Sequence, residues 1–150
     1  MNQEIMKIAT NEGVKAVDDG DGGPFGAVIT RGDEVLSVAH NEVLKRQDSV
    51  AHAIILAIQE AEQKVGSHDL SGCSLFTVNE PCPMCLGACM NAGIEHIYYG
   101  LASKKATEIG FAYEKYQNLI ESDSYKNKYM SQVSPLDCLR AYEHYINKQE

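Results

Sequence analysis

The strongest constraint on this chain is the run Pro81-Cys82-Pro83-Met84-Cys85, set where an apolar β-type segment gives way to a helix. The prolines tighten the turn, and the two-residue gap lets both thiolates reach one ion. A helix N-terminus also favours thiolate charge. The same spacing suits a redox dithiol, or half of a four-cysteine zinc site. The five cysteines are Cys73, Cys82, Cys85, Cys89 and Cys138, with no second Cys-x-x-Cys, so a site made of two such pairs is excluded. The odd number, together with the lack of a basic-then-apolar leader at Met1-Asn2-Gln3-Glu4, argues against a disulfide framework. Reduced thiols and a cytoplasmic location are therefore expected. His52 offers a third ligand near the start of an apolar helix, although a lone buried histidine is ordinarily a satisfied core residue.

The rest of the chain reads as a frame around that turn. Ile5, Ile8, Ala9, Val14 and Val17 recur at helical spacing and predict a helix over 2–18. Asp18 to Pro24 is a loop rich in glycine and aspartate. Residues 25–30 and 35–39 are β-type runs about the turn 31–34, which reads as a hairpin. A polar loop over 41–49 leads to a helix over 50–65, apolar on nearly every side from Ala51 to Ala57 except at His52, and so buried. A strand over 73–78, a helix over 84–92, a strand over 94–99 and a late helix over 135–147 follow. This order predicts an α/β fold: a single domain over 1–150, built as a three-layer α/β/α sandwich on a mixed sheet of about five strands.

Charge narrows the partners. With 13 basic and 21 acidic side chains the net charge is −8, and no cluster of Lys and Arg supplies a phosphate-binding face. A small uncharged molecule is expected rather than a large nucleic acid. No apolar run approaches the roughly 18 residues of a membrane span, so no membrane partner is expected.

Three stretches resemble the cytidine-deaminase superfamily: Gly22-Gly23-Pro24-Phe25-Gly26-Ala27-Val28-Ile29, Ala51-His52-Ala53, and Glu80-Pro81-Cys82-Pro83-Met84-Cys85-Leu86-Gly87-Ala88. The zinc-deaminase signature, His-x-Glu followed by Pro-Cys-x-x-Cys, matches at His52, Pro81, Cys82 and Cys85. Within the superfamily the chain is most similar to bacterial guanine deaminases and then to tRNA adenosine deaminases, over residues 5–111. The resemblance implies one Zn2+ per chain on His52, Cys82 and Cys85. The open fourth position would take a water whose pKa falls toward about 7. It implies hydrolytic removal of an exocyclic amine from a nucleobase or nucleoside, guanine-like by branch. Phe25 would pack against the base, Asn41 would hydrogen-bond it, the Ala53 amide would hold a ring carbonyl, and the Glu80 carbonyl would face the amine. Without the resemblance, Phe25 reads as strand core and Asn41 as a strand-ending turn. A homodimer is also implied, with the tail around Tyr113, Tyr116, Tyr125 and Tyr129 available to pack on a neighbour.

The chain departs from the pattern at one decisive place. The signature puts Glu two residues after the histidine, and here that residue is Ile54. Isoleucine can neither take a proton from water nor deliver one to a ring nitrogen or a leaving amine. Losing a positioned acid–base typically costs about 10²–10⁴ in rate. Gly110-Phe111 is followed by Ala112 and Tyr113 where guanine deaminases carry acids, which leaves Glu114 as the nearest substitute. Two functions compete: a zinc aminohydrolase impaired by Ile54, and a non-catalytic zinc-stabilised binding module or subunit for a nucleobase-like ligand. A remnant without a ligand is disfavoured by the intact zinc ligands and the Phe25/Asn41 wall. Cys73, Cys89 and Cys138 read as buried thiols, His40 as a strand-edge residue, and Asp21 as solvated surface.

Overall fold

A computed structural model describes residues 1–111, 118, 121 and 129–149. The chain divides into two compact units, Met1–Tyr113 and Glu114–Glu150.

In the first unit each apolar run becomes one element. Helix α1 (Asn2–Asp18) buries Ala9, Gly13 and Ala16. Strands β1 (Gly26–Arg31) and β2 (Glu34–His40) form the expected antiparallel hairpin, pairing Gly26 with His40 and Ala27 with Ala39, with an irregularity at Ile29/Thr30. The segment 41–49, expected to be all loop, contains a short helix α2 (Val43–Arg46). Asp48 then turns the chain by accepting from the Val50 and Ala51 amides. Helix α3 (Ala53–Val65) therefore begins three residues later than the apolar pattern suggests. Strand β3 (Cys73–Asn79), helix α4 (Pro83–Ala92), strand β4 (His96–Leu101) and helix α5 (Ser103–Glu108) complete the unit.

The sheet is mixed, in the order β2-β1-β3-β4, with β1 antiparallel to both β2 and β3 and β3 parallel to β4. The described residues give four strands rather than the expected five. The reason is visible in the sequence, which holds only four β-type runs. Alternation along β1 separates the two faces. Val28 packs with Phe76 and Ala9 under α1, while Ala27 and Ile29 join Leu75, Leu36, Ala57 and Cys89 under α3 and α4. This is the helix–sheet–helix layering expected from the element order.

In the second unit the described helix α6 (Pro135–Gln149) buries none of its residues. Cys138, expected to be buried, is exposed on it. No described helix is long and apolar enough to cross a membrane.

Helix α1 comes close to β1 at Gly26, where an added Cβ would collide with the Ala9 carbonyl oxygen. Backbone cannot give way as a side-chain tip can. Gly26→Ala is therefore expected to destabilise the fold by about 1–3 kcal/mol or more, measured as a lower Tm in thermal unfolding.

Candidate metal centre

Two helix N-termini meet beneath the sheet's end. His52 is the N-cap of α3, with extended backbone (φ −72°, ψ 151°), and Cys82 is the N-cap of α4 (φ −68°, ψ 165°). Neither side chain caps its own helix, so the imidazole and the thiol are free to turn toward each other. Pro83 fits the first helical position, where its missing N–H costs nothing, and Cys85 follows on the same turn. His52 Nδ1 lies 3.6 Å from Cys82 Sγ and 3.4 Å from Cys85 Sγ. All three donor atoms fall within 4.8 Å of one another.

This donor set fits zinc. Tetrahedral zinc with Zn–N near 2.0–2.1 Å and Zn–S near 2.3 Å places nitrogen and sulfur about 3.5 Å apart, close to the two distances seen. The electrostatics agree. The Cys82 thiol is pushed down to about 4, first by a hydrogen bond from the Cys85 thiol and then by His52, against the effect of burial. Cys85 is pushed up by donating to Cys82 and by burial. Burial and the Cys82 charge raise Cys89 to about 11, so it stays a protonated core thiol. One proton is thus shared between two sulfurs. Releasing it creates two adjacent buried negative charges, which a divalent cation compensates while the α3 and α4 N-termini assist.

A small cavity of about 10 Å³ adjoins the ligands, enough for one water. Ile54 lines it, 3% exposed, together with Phe25, Asn41, Ala53 and Asn79. Outward lies a cavity of about 400 Å³, lined by Phe25, Asn41, His52, Gly22, Leu44 and Phe111, among others. That volume lies within the range of small-molecule sites.

Of the residues singled out in the sequence, His52, Ile54, Phe25, Asn41 and Ala53 all gather here. Asn41 also makes the strand-ending turn that its sequence position alone suggests. Its Oδ1 accepts from the Val43 amide at 3.1 Å, and its Nδ2 has no partner among the described residues. The Glu80 carboxylate is engaged elsewhere, accepting from the Ser103 amide at 2.9 Å, while its backbone carbonyl accepts from Asn79 Nδ2 at 3.0 Å. Glu114 lies outside the described residues.

Three residues to which the sequence assigned no role of their own also shape the site. Asn79 is steadied by the Thr77 hydroxyl and fixes the Glu80 carbonyl. Phe111 stands edge-on to Phe25, with ring centroids 4.9 Å apart. Gly22 presses on Asn41 so closely that a Cβ would reach its Oδ1 at 2.0 Å. The paired glycines were a usable signal for that contact, whereas nothing local marks Asn79.

Residues 1–101 match the zinc-binding region of cytidine and deoxycytidylate deaminases. The guanine deaminase of Bacillus subtilis is 33% identical over 155 residues, covering 100% of this chain and 99% of that protein. Its X-ray structure superposes with a TM-score of 0.92 at 32% identity, covering 97% of this chain and 93% of that one. A tRNA-specific adenosine deaminase of Aquifex aeolicus is 38% identical over 67% of this chain and 66% of its own length. A crystal structure of NE0047 in complex with 2,6-diaminopurine has a TM-score of 0.70 and 33% identity, covering 75% of this chain and 63% of that one.

Purified protein is expected to carry close to one zinc per chain by elemental analysis, and His52→Ala or Cys85→Ala to lose it. Because the ion ties the start of α3 to the start of α4, chelation should lower the Tm of the unmodified protein. A Cys82–Cys85 disulfide without metal would contradict this.

Proposed function

The chain belongs to the cytidine and deoxycytidylate deaminase zinc-binding family, and within it we propose that this protein binds a guanine-like base and hydrolyses its exocyclic amine poorly. The observation that carries this reading is Ile54, buried in the same cavity as His52, Cys82 and Cys85. His52, Cys82 and Cys85 would hold zinc, which would supply a water acidic enough to ionise near neutral pH.

The chain's own residues do the remaining work. Hydrolysis exchanges the ring C–N bond for a carbonyl and releases ammonia. The adjacent ring nitrogen must gain a proton, and so must the departing amine. The family signature gives both transfers to the Glu that Ile54 replaces. Ile54 holds no proton, and a cavity of about 10 Å³ leaves little room for bulk water to stand in. Recognition is better provided for. Phe25 offers a ring face braced by Phe111, and Asn41 Nδ2 offers a donor. The Ala53 amide, in the first turn of α3, has no intrahelical partner and suits a ring carbonyl. The Glu80 carbonyl keeps a lone pair for an exocyclic amine. Guanine deaminase relatives and the diaminopurine complex of NE0047 support a purine of this pattern.

The second reading, favoured by the same residue, is a zinc-stabilised binding module or subunit that holds the base without turning it over. A homodimer belongs to either reading. The exposed apolar side chains of α6, among them Leu136, Leu139, Tyr142 and Ile146, are a surface that a second copy can cover.

Ammonia release measured over a panel of aminated bases and nucleosides should be slow for the unmodified protein. Ile54→Glu should raise it, recovering much of the roughly 10²–10⁴ assigned to a positioned acid–base. Turnover of guanine by the unmodified chain near the enzyme median of about 10 per second would overturn the impairment. Glu114→Gln would then test the substitute acid. An Ile54→Glu protein that is folded, zinc-loaded and inert on every base would leave the binding module. Sedimentation should give twice the 16.5 kDa chain mass, and a monomer at micromolar concentration would remove the dimer.

A further inference from the structure

His40 and Asp21 are joined in the structure, although the sequence suggested a strand-edge histidine and a solvated acid. His40 ends β2, next to Asn41 in sequence. Its Nδ1 lies 2.7 Å from Glu12 Oε2 on α1, and its Nε2 lies 2.7 Å from Asp21 Oδ2 in the loop between α1 and β1. The His40 and Asp21 side chains are 12% and 13% exposed. An ionised carboxylate only accepts, so both ring nitrogens must donate, and only the imidazolium can do that. A neutral ring has one N–H and turns a lone pair toward the other carboxylate.

The surroundings favour the charged ring. Lys15 on α1, Glu42 at the N-cap of α2, Arg46 on α2, and Glu60 on α3 face the same cavity as His40 and Glu12. Arg46 is already paired with Glu42 at 2.9 Å. Burial pulls the His40 pKa down, but hydrogen bonds and charge from Glu12 and Asp21 outweigh it and leave the pKa above its ordinary value.

The loop held by this bridge forms part of the outer cavity wall. The Asp21 carbonyl accepts from the Leu44 and Lys45 amides, each at 3.0 Å. The next residue, Gly22, presses on Asn41, and Gly23 lies against the rings of Phe25 and Phe111. We propose that His40 is a positioning residue for base binding: its imidazolium ties Asp21 to α1 and β2, holding Gly22 and Gly23 against Asn41 and Phe25, and loss of its proton loosens that wall. This rests on the reading of the outer cavity as the base site. The bridge's contribution is complete below about pH 6.5 and is lost as pH rises through the raised pKa of His40. Base affinity should therefore fall on the alkaline side.

The test uses the full zinc-loaded chain and 2,6-diaminopurine, titrated calorimetrically from pH 6.5 to 9. A charge-assisted bond of this kind predicts a loss of affinity of about tenfold in the unmodified protein. His40→Gln should bind weakly at every pH relative to the unmodified protein at pH 6.5. Asp21→Asn should bind well throughout, because its amide can donate to the lone pair of a neutral ring and keep both bonds. Titration of the zinc site is common to all three proteins and drops out of their ratios. Without ligand, amide exchange at Leu44 and Lys45, corrected for intrinsic rates, should lose protection at pH 9 in the unmodified protein but not in Asp21→Asn. A pH profile, or a Leu44 and Lys45 protection pattern, that is the same in all three proteins would overturn the positioning role alone. Absence of diaminopurine binding in all three at every pH would overturn the base-site reading, and the role in binding with it.

Discussion

Two sulfurs and an imidazole nitrogen are held within 4.8 Å of one another where the N-termini of α3 and α4 meet, and the functional half of the molecule is arranged around that contact. Each helix start presents amide dipoles to the same point, which suits thiolate charge. Each N-cap side chain gives up the usual capping bond to reach the others. Neither concession is favourable alone. A divalent cation makes both favourable, because it cancels the two sulfur charges and fixes the directions of the two helices. The sheet then needs only to place the ends of β1, β2 and β3 beside the three ligands, where Phe25, Asn41 and Asn79 line the same small cavity.

On the proposed reading, the groups around that centre suit recognition of a base better than they suit proton transfer. An aromatic pair, an amide with an unused donor, a helix-start N–H and a fixed carbonyl all survive beside a buried isoleucine. Ile54 is part of the buried core, 3% exposed. It adds apolar packing where the family signature would bury a carboxylate, a group that is expensive to desolvate. On the proposed reading, the isoleucine gives packing where the signature residue would give proton transfer.

The frame was legible because it rests on periodicity. Strands β1 to β4 and helices α1, α3, α4 and α6 sit on the runs that predicted them, α1 with the same ends and the others with ends displaced by at most three residues. The shift at α3 came from Asp48, whose hydrogen bonds turn the chain before the helix begins. His52 is consequently an N-cap rather than a helical residue, which is what frees its ring. The fifth strand had no apolar run of its own and is absent from the described residues. The metal ligands were legible because Cys82 and Cys85 are local and His52 completes a known pattern. Asn79, Phe111 and the Glu12–His40–Asp21 bridge were not. The partners of His40 are brought together only by the folded hairpin and α1, across separations of 28 and 19 residues.

The whole site depends on a zinc ion held by one imidazole and two thiolates, with a light atom in the fourth position. Zinc K-edge X-ray absorption on the purified protein tests it directly. The account predicts a shell of two sulfurs near 2.3 Å and two nitrogen or oxygen neighbours near 2.0–2.1 Å. A shell of three or four sulfurs, drawing in Cys89 or another chain, would contradict it.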